Sequence, residues 1–173
     1  MPMGFIQSEL DLKLLVLYIM SRVAGPVTFL QLLELALCDE GVDYFSLTEA
    51  VGHMVETGQL ERDEEQHYSI TDKGRRNSEI CESSLPYSVR QRSDRNIAAY
   101  NKAALRRAQV QSHVTERENG TYTVTLALRD DVDELMELRL MVADRTTADG
   151  LAQRFQQEPE KLYAQMTELL CGR

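Results

Sequence analysis

The side chains best equipped for chemistry in this sequence are three histidines, His53, His67 and His113, and they stand far apart. A metal centre needs His, Cys or carboxylates at short fixed spacings, so that several donors converge on one ion. None of the three has such a neighbour. Asp130-Asp131-Asp133-Glu134 carries the oxygens a divalent cation takes, but an acidic run of this kind reads first as a solvated turn between strands. There is no Gly-rich phosphate loop, no nucleophile elbow and no Cys/His pair in a plausible local context. The sequence therefore predicts no metal, no cofactor and no catalytic residue. What remains is hydrogen bonding and charge. Thr48 and His53 fall on the outer face of one predicted helix, and hydroxyl and imidazole groups can both reach base edges. Arg62, Gln66, His67, Lys73, Arg75 and Arg76 follow within a short stretch, as donors suited to phosphate.

The elements that must position these groups can be read from the apolar spacing. Leu10, Leu14, Leu15, Leu17, Tyr18 and Ile19 predict a central helix, apolar nearly all round, ended by Gly25-Pro26. Thr28 with Gln31 forms a capping box for a second helix, whose inner face is expected to carry Leu30, Leu33 and Leu37. Ser46 with Glu49 repeats that pattern for a third helix with Leu47, Val51, Met54 and Val55 inside and Gly58 as its C-terminal cap. Leu60–Arg62 and His67–Ile70 alternate around Asp63-Glu64-Glu65-Gln66 and predict a short hairpin. Thr71 caps a fourth helix running to about Ser83. A longer helix then follows, from Pro86 to Gln109, apolar at Val89, Ile97, Tyr100, Ala104 and Leu105.

Beyond it the period changes. Val110, Ser112 and Val114 alternate, Asn119-Gly120 predicts a type I′ turn, and Tyr122 to Leu128 is a strand. Leu135 to Val142 alternates like a strand but is composed like a helix. A strand is expected, because a lone hairpin is marginal. Thr146 or Thr147 caps a helix with Ala148, Leu151 and Phe155. Pro159 opens a last helix with Leu162, Tyr163, Met166, Leu169 and Leu170 inside. The expected fold is α+β: a winged helix-turn-helix domain over 1–85, a connecting helix over 86–109, and a three-stranded antiparallel meander with helices over 110–173.

Charge is unevenly placed. The chain is −9 overall. Residues 1–85 hold 6 basic and 15 acidic side chains, 86–109 hold 6 and 1, and 110–173 hold 7 and 12. No Lys or Arg occurs between Val23 and Glu61. Phosphate neutralisation supplies most non-specific DNA affinity, so the basic middle segment, with Arg90 and Arg92, joins the candidate contacts. Leu14 to Met20 is too short an apolar run to span a bilayer, and no secretory signal is visible. Cys38, Cys81 and Cys171 form no close pair, which suits a reducing cytoplasm, with Cys38 as a small core group.

The order of motifs resembles a bacterial domain-of-unknown-function family, number 4364, thought to be winged-helix transcriptional regulators. The resemblance rests on Leu14-Leu15-Val16-Leu17-Tyr18-Ile19, Asp43-Tyr44-Phe45-Ser46-Leu47, Val55-Glu56-Thr57-Gly58-Gln59-Leu60, Tyr68-Ser69-Ile70-Thr71-Asp72-Lys73-Gly74, Asn119-Gly120-Thr121-Tyr122 and Leu138-Arg139-Leu140-Met141-Val142. The phrase around Thr71-Asp72-Lys73-Gly74 is also similar to the wing exit of PadR and MarR regulators. The resemblance implies a fold and a DNA role, with no ligand and no catalytic residues.

Two readings follow. In the first the chain is a homodimeric regulator of double-stranded DNA. Its third helix lies in the major groove, its wing lies on the backbone, and its C-terminal meander serves for dimerisation or for sensing a small-molecule effector. In the second, the acidic first domain repels phosphate and binds a basic protein partner instead, through Glu49, Glu56, Glu61, Asp63, Glu64 and Glu65. The missing cations of the third helix favour the second; the resemblance favours the first.

Overall fold

A computed structural model describes residues 4–172. The fold is mixed α+β. Among the described residues it holds seven α-helices and two three-stranded antiparallel sheets. None of these helices is long and apolar enough to cross a membrane. The chain divides into two compact units between Lys102 and Ala103.

The first unit is built on α1 (Glu9–Met20). Ser8 caps it in a reciprocal box with Asp11: the Asp11 N–H donates to Ser8 Oγ, and the Ser8 N–H donates to the Asp11 carboxylate, each at 3.1 Å. Leu12 and every residue from Leu15 to Met20 are buried, as a central helix requires. Leu10 departs from the expectation and is 65% exposed. It stands two residues from Leu12, hence nearly opposite it on the helix.

Thr28 and Gln31 form the expected box at the start of α2 (Phe29–Ala36). The inward arc is Leu32, Leu35 and Ala36, not Leu30, Leu33 and Leu37. Leu30 and Leu37 face outward, and Leu33 packs only partly on the core. The helix has a rich supply of leucines on all sides, so spacing alone did not select the arc. Asp43, not Ser46, is the N-cap of α3 (Tyr44–Glu56). Its Oδ1 accepts the Phe45 and Ser46 N–H groups, and its Oδ2 accepts the Ser46 hydroxyl at 2.6 Å. Leu47, Ala50, Val51 and Met54 are buried. Gly58 ends the helix with φ 70°, the left-handed conformation glycine adopts without strain.

The hairpin is where the alternation puts it, β2 (Leu60–Arg62) against β3 (His67–Ile70), with Leu60 opposite Ile70 and Arg62 opposite Tyr68. A third strand, β1 (Val27–Thr28), pairs with the other edge of β3 and gives the order β1-β3-β2. Two residues are too few to show an alternation, so this strand has no sequence signal. Thr71 caps α4 (Asp72–Cys81) through the Gly74 N–H. Gly74 is forced by packing: a Cβ there would meet the Gln59 carbonyl oxygen at 2.2 Å. A short 3₁₀ turn, Glu82–Ser84, leads to the buried Leu85 and on to α5 (Tyr87–Gln109).

The first half of α5 belongs to the first core, through buried Val89, Ser93 and Ile97. Polar bonds fasten it as well. Tyr18 donates its hydroxyl to Asp94 at 2.7 Å. Burial and this acceptor push the Tyr18 hydroxyl up to about 12, so it stays a donor. Asn101 bridges the Arg22 carbonyl and the Ala24 N–H beyond the end of α1.

The second unit holds β4 (Val110–Glu116), β5 (Tyr122–Arg129) and β6 (Glu134–Val142), with α6 (Arg145–Gln157) and α7 (Pro159–Cys171). The ambiguous third segment is a strand, paired with β5 from Tyr122 opposite Val142 to Arg129 opposite Glu134. The turn between β4 and β5 is not type I′, because Asn119 lacks the positive φ that type requires; of the two residues only Gly120 has it, at 77°. Arg117 and Thr121 close a three-residue loop instead, and Asn119 Oδ1 accepts both the Thr121 N–H and its hydroxyl. Asp144, rather than Thr146 or Thr147, caps α6 by accepting the Thr147 N–H. Val110, Val124, Leu126, Leu128, Ala148 and Phe155 form the core. Pro159 opens α7, but Leu169 and Leu170, expected inside, are 80% and 84% exposed.

One buried carboxylate ties three parts of the first unit together. Asp39, in the connection from α2 to α3, has a fully buried side chain. It accepts the N–H groups of Phe5, Ile6 and Gly41 and the Nη2 of Arg92 on α5, the last at 2.8 Å. Burial alone would raise its carboxyl. The Gly41, Ile6 and Phe5 N–H donors and the Arg92 charge outweigh it and hold the carboxyl below the ordinary carboxylate range. Gly41 has no room for a side chain, since a Cβ would lie 2.0 Å from the Ile6 carbonyl oxygen.

Removing this acceptor leaves the buried Ile6 N–H and three part-buried donors unpaired. Asp39→Ala is expected to lower the unfolding free energy by about 3 kcal/mol in denaturant titrations. The folded pKa is depressed, so the charged form is the stabilising one. The contribution is present above the unfolded value of about 4 and is lost as pH falls through the folded value. The gap between wild type and Asp39→Asn should therefore narrow when the titration moves from about pH 7 to about pH 3.

Candidate functional site

The outer face of α3 is open. Tyr44, Phe45, Thr48, Glu49, Gly52, His53 and Glu56 are all exposed. The buried stripe on Leu47, Val51 and Met54 turns these residues to the opposite side, because the helix repeats every 3.6 residues. Thr48 donates its hydroxyl to the Tyr44 carbonyl at 2.8 Å and keeps its lone pairs toward solvent. His53 is engaged: its Nδ1 lies 3.0 Å from Lys13 Nζ and 3.1 Å from Glu9 Oε1. Lys13 and His53 together hold the Glu9 carboxyl below its ordinary value. This surface trio joins the last turns of α3 to α1.

Phe45 was not among the residues singled out for contact, and it is the most exposed aromatic of the site, at 81%. Tyr44 stands edge-on between Phe29 and Phe45, with ring centroids 5.4 and 5.6 Å apart. The signal was present in the spacing: Phe45 lies two residues before the buried Leu47, hence off the apolar stripe. Gly52 has no packing role, since a Cβ built on it would meet nothing within 4 Å. The face is therefore aromatic at its N-terminal end, flat at Gly52 and acidic at Glu49 and Glu56.

Arg62 and Gln66 are exposed on the hairpin. Gln66 holds the turn with φ 66°, in the left-handed region. His67 is half-buried and faces acidic neighbours, Asp63 at 3.6 Å and Glu65 at 3.9 Å. Lys73 donates to the Thr57 carbonyl at 2.6 Å and so caps the C-terminal end of α3. Arg75 and Arg76 are exposed on α4, and among the described residues neither they nor Arg62 make an ion pair.

The two arginines proposed on the connecting helix are placed differently. Arg92 holds Asp39, as above. Arg90 lies 3.9 Å from Glu82, which also pairs with Arg22 at 2.9 Å. The Nε atoms of Arg90 and Arg92 are both buried without a partner. Both guanidinium groups are drawn onto acidic groups of their own unit, although the side chains stay 30% and 38% exposed. Of the ten candidate positions, Arg62, Arg75 and Arg76 are the charged ones whose side chains have neither an ion pair nor a hydrogen-bond partner among the described residues.

No group of His, Cys, Asp or Glu among the described residues gathers where it could hold a metal ion. Asp130 instead closes its own turn by accepting the Val132 and Asp133 N–H groups. Cys38 is half-buried 3.4 Å from Ser93 Oγ, and burial pushes its thiol up, away from the reactive thiolate.

No curated protein and no solved structure matches the chain. A family model described as a domain of unknown function, DUF4364, matches residues 12–170. That span takes in both units and all seven helices except the first few residues of α1 and the end of α7, and the chain belongs to this family.

Proposed function

We propose that the chain is a DNA-binding transcriptional regulator of the winged-helix type, acting as a homodimer. Support comes from the arrangement of the first unit. Three helices lead into a hairpin, and the segment between α1 and α2 adds a strand to it, in the order β1-β3-β2. The observation that carries the reading is the open face of α3 set on that scaffold, with unpaired Arg62, Arg75 and Arg76 in the elements that follow. In this reading the first turns of α3 enter the major groove. Phe45 meets a thymine methyl and Thr48 hydrogen-bonds a base edge one turn further on. Gly52 lets the backbone approach closely. The exposed Leu169 and Leu170 of α7 supply an apolar surface for a second copy.

A second reading has its own support. The α3 face holds Glu49 and Glu56 and no cation, and Tyr44, Phe45 and, on α2, Leu30 are exposed. Aromatic and acidic groups together suit a basic protein partner, and acidic groups near phosphate cost affinity.

Fluorescence anisotropy against random duplexes separates the two. The first reading expects binding that falls steeply from about 50 to about 200 mM salt. Arg75→Glu with Arg76→Glu should weaken binding to all sequences alike and flatten the salt slope by about 2. Absence of binding at the lower salt would sink the DNA reading and leave the protein partner.

Gly52→Ala tests the face itself. No atom obstructs the new methyl, so the change should stabilise the fold by up to about 1 kcal/mol. It should at the same time weaken the duplex interaction. A stabilised variant that binds DNA unchanged would remove α3 from the interface. For the dimer, sedimentation of Leu169→Lys with Leu170→Lys should give the monomer mass, and an unaltered mass would place the contact elsewhere.

A further inference from the structure

The second unit has a gap in its own apolar core. Helix α6 packs over β4 and β5 and reaches β6 far less. Met136, Leu138 and Leu140 of β6 point to the side that is buried on β5, yet they are only half-covered. Helix α7 does not close the gap: it packs on α6, and its last leucines are in solvent. The space left is a cavity of about 250 Å³. Its walls are Leu126, Leu138 and Leu140 of the sheet, Leu151 and Phe155 of α6 and Leu162 of α7. The cavity is open to solvent on one side, so its apolar walls are wetted, and an apolar occupant that took them out of water would bind favourably. It lies just below the range of about 300 to 1,000 Å³ in which ligand pockets fall.

The polar groups on the lining give the occupant its charge. Arg154 and Lys161 both border the cavity, with Glu158 between them in sequence. Lys161 pairs with Glu158 at 3.2 Å. Arg154 makes no ion pair among the described residues. The border therefore carries one positive charge beyond what Glu158 neutralises. Guanidinium is the side chain best matched to a planar carboxylate, through two parallel N–H donors.

We propose that this cavity is a binding site for a small amphipathic carboxylate: an apolar chain or ring between the β6 face and α6–α7, its carboxylate on Arg154 with Lys161 beside it. The inference stands on the cavity alone, and it holds or fails whether or not the first unit binds DNA. Octanoate and 1-octanol, titrated calorimetrically into the full chain without nucleic acid, are the probes. Octanoate is expected to bind saturably and roughly tenfold or more tighter than 1-octanol, the worth of one charge-assisted hydrogen bond. Arg154→Gln with Lys161→Gln, both exposed and outside the core, should bring octanoate down to the level of the alcohol. Leu138→Trp should fill the space and abolish binding of both.

Absence of octanoate binding, or equal binding of acid and alcohol, overturns the proposal. So does full affinity in the double glutamine variant, which decides the matter even if Leu138→Trp does not fold. Octanoate binding that weakens as protein concentration rises would put a second copy of the chain in the cavity and overturn it as well.

Discussion

Asp39 is the constraint on which the first unit depends. A carboxylate fully out of solvent is tolerated only where donors surround it. Here the donors come from three separate stretches: the backbone before α1, the turn after α2 and Arg92 on α5. The same atoms therefore set where the chain enters, how α2 gives way to α3, and how α5 lies on the bundle. Gly41 follows from this geometry, since the Ile6 carbonyl occupies the place of its side chain. The open face of α3 is a downstream result, because the turn anchored by Asp39 leads directly to Asp43, its N-cap.

The charge pattern looks different once ion pairs are known. The basic segment 86–109 seemed to be the natural seat for phosphate. Arg92 and Arg90 instead hold acidic groups of the same unit. Lys73 is turned to the α3 carboxyl end and His53 to Glu9. Among the described residues Arg62, Arg75, Arg76, Arg95 and Lys102 of the first unit are exposed without an ion pair, against a strongly acidic background. A DNA interface of this kind would draw on shape and apolar contact more than on phosphate neutralisation, and its affinity would be modest.

The second unit is held by a different balance. Its centre strand β5 is well buried, while β6 and α7 are covered on one part of their surfaces only. Arg106, at the end of α5, pairs with Glu160 in the first turn of α7 and holds that carboxyl down to about 2. Leu162 packs α7 on the core near this bond, while the far end of the helix stays in solvent.

Periodicity and caps made much of the secondary structure legible. The central helix, the Leu60–Ile70 hairpin, Thr71 as a cap and the long helix to Gln109 all announce themselves through alternation, helical spacing or a polar residue ahead of an apolar run, while at Leu135–Val142 alternation competed with a helical composition and the need for a third strand decided. These are local properties, carried by a few neighbouring residues. Which leucines of α2 turn inward, whether Asp43 or Ser46 caps α3, and the two-residue strand β1 were decided by packing, because each depends on a partner distant in the chain. The candidate site divides the same way. That Thr48 and Gly52 face outward follows from the buried stripe of α3. That Arg92 is bound to Asp39, that Lys73 caps a helix, and that an apolar cavity stands beside Arg154 required the tertiary structure: a charge or a leucine reads the same in sequence whether it meets solvent or a partner.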